Sequence, residues 1–278
     1  MKKKRSILPI ILLLIVSLVC GLYPLISNLQ HKQLQKQMIS NYQSAVEETA
    51  PQDLEKEWDK AREYNWHIAK QTKLKEPFAG SKMQQSDRIY ENILNLNGDG
   101  VMGYIEIPKI EVKLPIVHGT DDEDLERAAG HLPKTSFPVG GTSSHSVLSA
   151  HRGLPSAKLF TDLDQLEEND IFLLHILDKE LYYRVVQIKV VEPENTEDLR
   201  IVKGKDYVTL VTCTPYAVNS HRLLVRGERT TEPPNYDVKF SFIDFLRLHF
   251  YGVTIGIIAL GSIIAIAVIL NKTHDRKS

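Results

Sequence analysis

Seven short segments rich in β-branched and aromatic residues divide the middle of the chain, and they restrict the folds that it can adopt. Between residues 104 and 228 the sequence reads YIEIP, EVKLPIVHG, SVLSA, IFLLHIL, ELYYRVVQIKVV, YVTLVTC and RLLVRGE. Turn-forming stretches such as Pro138-Val139-Gly140-Gly141 lie between them. Many short strands at this spacing are typical of a closed barrel or a sandwich. The pattern therefore predicts a mainly β domain, to which we assign residues 101–232.

A helical region is predicted before the β domain, over residues 28–73. Thr49 stands just before Pro51 and is a helix start signal. Apolar residues then recur at spacings of three and four, as on one buried face of a helix: Leu54, Trp58, Ala61, Tyr64 and Ile68. This stripe predicts a helix that packs one face against another part of the protein.

Both ends of the chain contain uncharged apolar runs, at residues 6–27 and 252–270. Each run is close to the ~20 residues that a helix needs to cross a bilayer core. Four basic residues precede the first run and three follow the second, so the positive-inside rule places both termini in the cytoplasm and residues 28–251 outside. A cleaved signal peptide is the alternative for the first run, although that run lacks a small-x-small cleavage site.

The predicted protein is therefore multi-pass, sits in the cell membrane in contact with lipid, and carries its β domain outside the cell. Its five parts are a basic tail with the first transmembrane segment (1–27), an extracellular helical region (28–100), the β domain (101–232), a juxtamembrane segment (233–251) and the second transmembrane helix with a basic tail (252–278).

Charge and cysteine content exclude two classes of protein. The chain has 34 basic and 35 acidic residues, so it lacks the basic balance of a nucleic-acid-binding protein. It has only two cysteines, which excludes a disulfide-stapled scaffold. Cys20 falls within the first apolar run, so Cys213 is the one thiol of the outer domain and has no partner for an internal disulfide. Cys213 is thus available for chemistry, and a buried inert thiol is the alternative.

Three residues suited to acyl transfer stand at the ends of predicted strands. Cys213 ends a β-branched strand before Thr-Pro, and Arg222 opens the next strand nine residues later. If these two strands pair as neighbours, Cys213 and Arg222 lie close across the ladder. His151 ends another predicted strand, just before Arg-Gly. The sequence therefore allows the three side chains to converge on one rim of a barrel.

The segments around these residues resemble the sortase family. The stretch TLVTCTPYAVNSHRLLVRGER is similar to the sortase signature, LSAHRG to the histidine segment, and GHLPKTSFPVGG to the loop that precedes it. Within the family, the helical extension, the second apolar run and the TPYAVNSHRLLVRGER block resemble class C, the pilus-assembling sortases of Gram-positive bacteria. The resemblance covers about residues 40–270 and implies a closed β-barrel with N-terminal helices and a transmembrane helix at each end.

The resemblance also implies roles for the three residues and no cofactor. Cys213 matches the nucleophile that carries the thioacyl intermediate, His151 the general acid and base, and Arg222 the residue that stabilises the oxyanion or positions the substrate. These roles agree with their chemistry. Cations favour the reactive thiolate of a cysteine, a histidine supplies a proton to a leaving amine, and an arginine offers several donors to an oxyanion.

A loop before the barrel, at residues 74–80, resembles the lid of class C sortases. The family lid carries an Asp-Pro-aromatic motif, and this chain has Glu76-Pro77-Phe78. By resemblance, Glu76 pairs with Arg222 and Phe78 covers Cys213. Glutamate replaces the usual aspartate, so the additional methylene changes the reach of the carboxylate. An ordinary surface loop is the alternative.

The remaining candidates favour other interpretations. His118, His131 and His145 have no paired-ligand spacing for zinc, and the acidic run at residues 121–124 lacks the spacing of a calcium loop. That run instead predicts a helix start with acids in its first turn. No metal site is predicted. Strand alternation points His221 away from the face of Arg222. Two other arginines, Arg152 and Arg226, fall outside the catalytic position of the family.

The resulting hypothesis is a membrane-anchored cysteine transpeptidase that acts on pilin subunits. It implies cleavage of an LPxTG-like sorting signal through a thioacyl enzyme and transfer to a lysine amine of another pilin. One alternative is a cell-wall-anchoring sortase that uses a peptidoglycan cross-bridge amine. The other is a non-catalytic surface module, which predicts an unreactive Cys213.

Overall fold

The computed structural model describes residues 8–70, 87–154 and 156–233, together with six residues between 254 and 264. Contacts divide the chain into two compact units, Met1–His31 with Lys239–Ser278 and Lys32–Val238. The second unit contains the whole β domain and the helices that pack on it. The predicted lid, residues 74–80, lies outside the described residues.

Among the described residues, three helices precede the barrel: α1 (Leu8–Glu48), α2 (Pro51–Ala69) and the short α3 (Asp87–Asn92). The predicted helical region is thus present, but α1 begins well before residue 28. A proline fits the first turn of a helix because it has no N–H to leave unpaired, and α2 begins at Pro51 accordingly. Ala50, not Thr49, is the residue that caps it, and Thr49 instead donates a hydrogen bond to the carbonyl of Ala45 at 2.6 Å.

The predicted stripe on α2 is buried, with Tyr64 half-buried. Trp58 Nε1 donates to the carboxylate of Asp178 at 2.9 Å. Asn65 is a further buried residue that the stripe did not include, and its side chain bonds both the N–H and the carbonyl of Phe137, at 2.6 and 3.0 Å. These contacts fix α2 to the barrel.

Eight strands close into a barrel in the order β1-β2-β3-β4-β7-β8-β6-β5. Their bounds are β1 Val101–Ile107, β2 Val112–His118, β3 Ala129–His131, β4 Ser144–Ser149, β5 Ile171–Ile176, β6 Lys179–Val191, β7 Asp206–Thr214 and β8 His221–Thr230. The pairs β2–β3 and β4–β7 are parallel, and the others are antiparallel. The predicted mainly β, closed-barrel fold with N-terminal helices is confirmed.

Seven of the eight strands match the predicted segments, and β3 was missed. β3 has only three residues, Ala129, Gly130 and His131, so it shows no alternation that a sequence pattern could reveal. The acidic run does form a helix start, α4 (Asp122–Leu125). The segment 159–168 contains one 3-10 turn, Leu163–Gln165, rather than a longer helix.

Apolar side chains from α1 and the strands fill the space around the barrel. One cluster joins the second half of α1 to the barrel: Met38, Ile39, Tyr42, Val101, Tyr104, Val117 and Ala128. Another lies beside the end of β4: Leu132, Val147, Val191, Leu199, Val211 and Leu224. Burial of such side chains contributes ~1.5–3 kcal/mol each. The end of the barrel formed by β4 and β7 is therefore well packed, and it supports the residues that follow these two strands.

Within the described part of the chain, none of the helices has the length and apolar character needed to cross a membrane. The two predicted transmembrane segments are therefore not confirmed. Most of the second, at residues 252–270, lies outside the described residues.

Candidate active site

Cys213 and Arg222 are direct partners across the β7–β8 ladder. The two strands are joined by a short turn and pair as an antiparallel hairpin, which meets the condition under which the sequence brings Cys213 and Arg222 close together. Cys213 is the penultimate residue of β7 and Arg222 the second residue of β8. The Arg222 Nη1 donates to the carbonyl oxygens of Asn219 and His221, at 3.3 and 3.1 Å. The guanidinium is thereby held at the turn end of the hairpin, on the same rung as the thiol.

The register of β4 against β7 brings His151 to the same edge. The parallel ladder runs through the pair Ser149 and Val211. One residue further, the Ala150 N–H donates to the Val211 carbonyl at 3.2 Å and Thr212 Oγ1 donates to the Ala150 carbonyl at 2.8 Å. Continuing this register by one more residue aligns His151 with Cys213. Three neighbouring strands, β4, β7 and β8, thus present histidine, cysteine and arginine at one edge of the barrel.

The three side chains are half-buried rather than enclosed. Cys213 is a free thiol and is less buried than Val211 and Thr212, which are 1% and 2% exposed. The alternative of a fully buried, inert thiol does not fit this position. The three side chains therefore keep part of their surface in contact with solvent.

The loop that follows His151 folds back on itself and lies against the turn between β7 and β8. The Phe160 N–H donates to the His151 carbonyl at 3.1 Å, and the Gly153 N–H donates to Thr161 Oγ1 at the same distance. Gly153 has φ +76°, and a Cβ there would come within 2.9 Å of the Tyr216 ring. Only glycine accepts both conditions, so the loop conformation after His151 depends on this residue.

Arg152 is a residue of this edge whose position the sequence analysis missed. Its Nη1 donates to Thr214 Oγ1 at 3.2 Å, and its Nη2 pairs with the Asp164 carboxylate at 2.5 Å. The side chain is only 8% exposed. The available signal was a His-Arg dipeptide at a strand end, with an acidic residue twelve positions after the arginine. This spacing alone does not show that the loop folds back to bring the two side chains together.

Two other candidates lie away from the thiol. Arg226 pairs with Thr209 in the ladder, four residues before Cys213, and its guanidinium bonds to the Asp198 carbonyl. His221 pairs with Thr214, and its Nδ1 hydrogen-bonds with Ser220 Oγ at 2.8 Å. The ladder therefore selects Arg222 as the arginine that faces Cys213.

Buried histidines of the barrel are structural. The Nε2–H of His131 donates to the Ser136 carbonyl at 2.8 Å, and the Nδ1–H of His145 donates to the Arg200 carbonyl at 2.9 Å. Burial lowers the pKa of His131 to about 3 and that of His145 to about 4. Across the described residues, no group of three or more His, Cys, Asp or Glu is placed to hold a metal ion.

The lowered histidine pKa values predict a pH dependence of stability. An unfolded histidine titrates near pH 6.5, so between about pH 4 and 6.5 the unfolded chain binds protons that folded His131 and His145 do not. Stability therefore rises with pH in this window and is lost as the pH falls. We expect His145→Gln to reduce this slope by about 1 kcal/mol per pH unit between pH 5 and 6, measured by urea unfolding at steps of pH.

The exposed His67 on α2 provides the matched control for this measurement. His67→Gln makes the same substitution at an exposed position, so it reports what the change from histidine to glutamine does outside a buried site. An unchanged slope in His145→Gln would contradict the assignment of His145 as a buried neutral ring.

Known proteins share both the barrel and the sequence motifs of this chain. A model of the sortase domain matches residues 105–230. The crystal structure of sortase C1 from Streptococcus agalactiae is 45% identical, with a TM-score of 0.65, and the match covers 71% of this chain and 100% of that one. Sortase C of Streptococcus pneumoniae is 42% identical, with a TM-score of 0.65, over 70% and 97% of the two chains.

Among curated proteins, sortase D of Bacillus subtilis is 33% identical over 132 residues. The match covers 46% of this chain and 64% of that protein, so this chain spans less than two thirds of that relative. The resemblance that the sequence motifs indicated is confirmed. The chain belongs to the sortase family, and the solved structures that it resembles are class C sortases.

Proposed function

We propose that this protein is a membrane-anchored cysteine transpeptidase that joins pilin subunits. It cleaves an LPxTG-like sorting signal between Thr and Gly, holds the acyl fragment on Cys213 and transfers it to a lysine amine of another pilin. The observation that carries the chemistry is the placement of Cys213 opposite Arg222 in the β7–β8 ladder, with the His151 segment beside them on β4.

In the first half-reaction the Cys213 sulfur bonds to the threonine carbonyl carbon, and the carbonyl electrons move to the oxygen. Arg222 donates hydrogen bonds to that oxyanion. The C–N bond then breaks as His151 gives a proton to the departing glycine amine, which leaves a thioester.

In the second half-reaction, the lysine amine attacks the thioester carbon, its proton passes to His151, and the C–S bond breaks to restore the thiolate. The incoming amine must outcompete water, because otherwise the protein would only hydrolyse its substrate.

The acceptor is proposed from relatives. The two similar solved structures, from Streptococcus agalactiae and Streptococcus pneumoniae, are named sortase C1 and sortase C. The Streptococcus pneumoniae protein is described in terms of pilin substrate specificity. A pilin substrate for this chain follows by analogy with that protein.

Membrane anchoring is proposed from the sequence and from exposed apolar side chains. The two apolar runs have the length and the basic flanks of transmembrane segments. On α1, Leu12 and Val19 are each 62% exposed, and at the other end Ile257 is 66% exposed. Apolar side chains of this size are stabilised by lipid rather than by water. The anchor would hold the catalytic barrel outside the cell, beside emerging substrates.

The lid is a proposal from resemblance. Residues 74–80 would cover the site, with Glu76 paired to Arg222 and Phe78 over Cys213. Such a pair at the surface contributes only ~0–1 kcal/mol, so the closed form would open readily. Substrate would bind the open fraction, and its apparent affinity would be lowered in proportion.

Cys213→Ala tests the main reaction. We expect no thioacyl adduct and no high-mass pilin polymer in this variant, because the attacking sulfur is absent. The adduct is measured by mass spectrometry after incubation with a sorting peptide, and the polymer by gel electrophoresis of pilin. Cys20→Ala is the matched control and retains both products. Normal polymer in Cys213→Ala would refute the function, and a Cys213 that neither reacts nor cleaves any sorting peptide would favour the non-catalytic module.

A competition between acceptors separates the two sortase hypotheses. The full chain is given sorting peptide together with equal concentrations of purified pilin and of a peptidoglycan cross-bridge peptide. We expect transfer mainly to the pilin lysine, measured by mass spectrometry of the products. Preferred transfer to the cross-bridge amine would show instead a cell-wall-anchoring sortase.

The lid is tested by replacing Glu76 and Phe78 together with alanine. If the loop shields the thiol, the double variant alkylates Cys213 faster and cleaves sorting peptide faster than the wild type, with slightly lower thermal stability. Alkylation is followed with a small thiol reagent in the Cys20→Ala background, so that one thiol reports. Rates equal to those of the wild type would mean that residues 74–80 are an ordinary loop.

A further inference from the structure

The Arg152 side chain joins the loop that carries His151 to the strand that carries Cys213. Its Nη1 bonds to Thr214 Oγ1 at 3.2 Å. Thr214 is the last residue of β7 and directly follows Cys213. The bond therefore lies one residue beyond the aligned pair of His151 and Cys213, in the same register as the β4–β7 ladder.

Among the described residues, two other hydrogen bonds of this loop do not reach β7. The bonds of Phe160 to His151 and of Gly153 to Thr161 connect the loop to itself. The backbone ladder between β4 and β7 reaches Ala150, where its N–H meets Val211. His151 thus stands beyond the last of these ladder bonds, and the Arg152 side chain continues the connection past it.

The guanidinium is itself held in place by an ion pair. Asp164, in the 3-10 turn Leu163–Gln165, bonds to Nη2 at 2.5 Å, and the Arg152 side chain is 8% exposed. A planar guanidinium can serve Thr214 and Asp164 at once through separate nitrogens, which a lysine ammonium cannot do with the same geometry. The order Asp164, Arg152, Thr214 forms one chain of contacts that ends beside the thiol.

We propose that Arg152 is a positioning residue for the transfer reaction, and that it aligns His151 with Cys213 through its bond to Thr214. This inference rests on the proposed roles of Cys213 and His151. The hydrogen bonds of the Arg152 side chain go to Thr214 and Asp164, so we assign it to holding the loop and not to making or breaking bonds. It acts on the rate of proton transfer, because a misplaced acid slows the chemical step without changing how the peptide binds.

Thr214→Val and Thr214→Ser form the matched pair that tests this role. Valine keeps the shape of threonine and loses the hydroxyl, whereas serine keeps the hydroxyl. With a fluorogenic sorting peptide and the full chain, we expect Thr214→Val to lower kcat roughly 10-fold with KM unchanged, and Thr214→Ser to stay within about twofold of wild type. Asp164→Asn, which leaves Thr214 intact, should lower kcat in the same direction because it releases the guanidinium.

Three results would overturn the inference: wild-type kcat in Thr214→Val, an equal loss in the valine and serine variants, or a change confined to KM. Cys213 alkylation within about twofold of wild type in Thr214→Val is expected if only alignment has changed, and its collapse would count against the inference. Failure of the proposed function is read separately, since either the wild type would then cleave no sorting peptide or Cys213→Ala would retain cleavage, whatever the Thr214 variants do.

Discussion

The parallel pairing of β4 with β7 is the constraint on which the candidate site depends. Six register pairs, from Ser144 with Asp206 to Ser149 with Val211, hold these two strands together. Since parallel strands end at the same edge, the residues that follow each strand emerge side by side. A slip of one residue would turn the side chains of β4 to the opposite face and would separate His151 from Cys213. The closed barrel, which leaves no free edge at which β4 could shift, keeps this register.

The part of the site that could be predicted from sequence is the part formed by near neighbours. β7 and β8 are joined by a short turn, so the pairing of Cys213 with Arg222 follows from their order and spacing. The β4–β7 pairing joins residues about 60 positions apart, and no local pattern encodes it. His151 was selected by resemblance to a family, not by periodicity. The sequence pattern also missed β3, for a reason that again involves a tertiary contact. Its Gly130 is required by a close approach to Gly119 and not by strand propensity.

The histidines illustrate a second limit. In the sequence, residue type alone does not distinguish His131, His145 and His151. Tertiary contacts distinguish them. The Tyr90 hydroxyl of α3 hydrogen-bonds with the His131 ring, and the Arg200 carbonyl accepts a hydrogen bond from the His145 ring. A ring whose pKa is lowered to about 3 or 4 by burial is neutral at pH 7 and has no route to exchange its proton with a substrate. His151 stands at the half-buried edge, so its side chain is not enclosed as those two rings are.

Position in the fold also distinguishes the three arginines near this end of the sheet. Residue type does not distinguish Arg152, Arg222 and Arg226, because each offers the same guanidinium to an oxyanion. Asp164 lies against Arg152 and Asp198 against Arg226, which places these two guanidinium groups beside carboxylates of the loops. Arg226 is moreover placed opposite Thr209. Arg222 is the one of the three that shares the rung of Cys213, so the register of the ladder, and not the chemistry of the side chain, determines which of these arginines lies opposite the thiol.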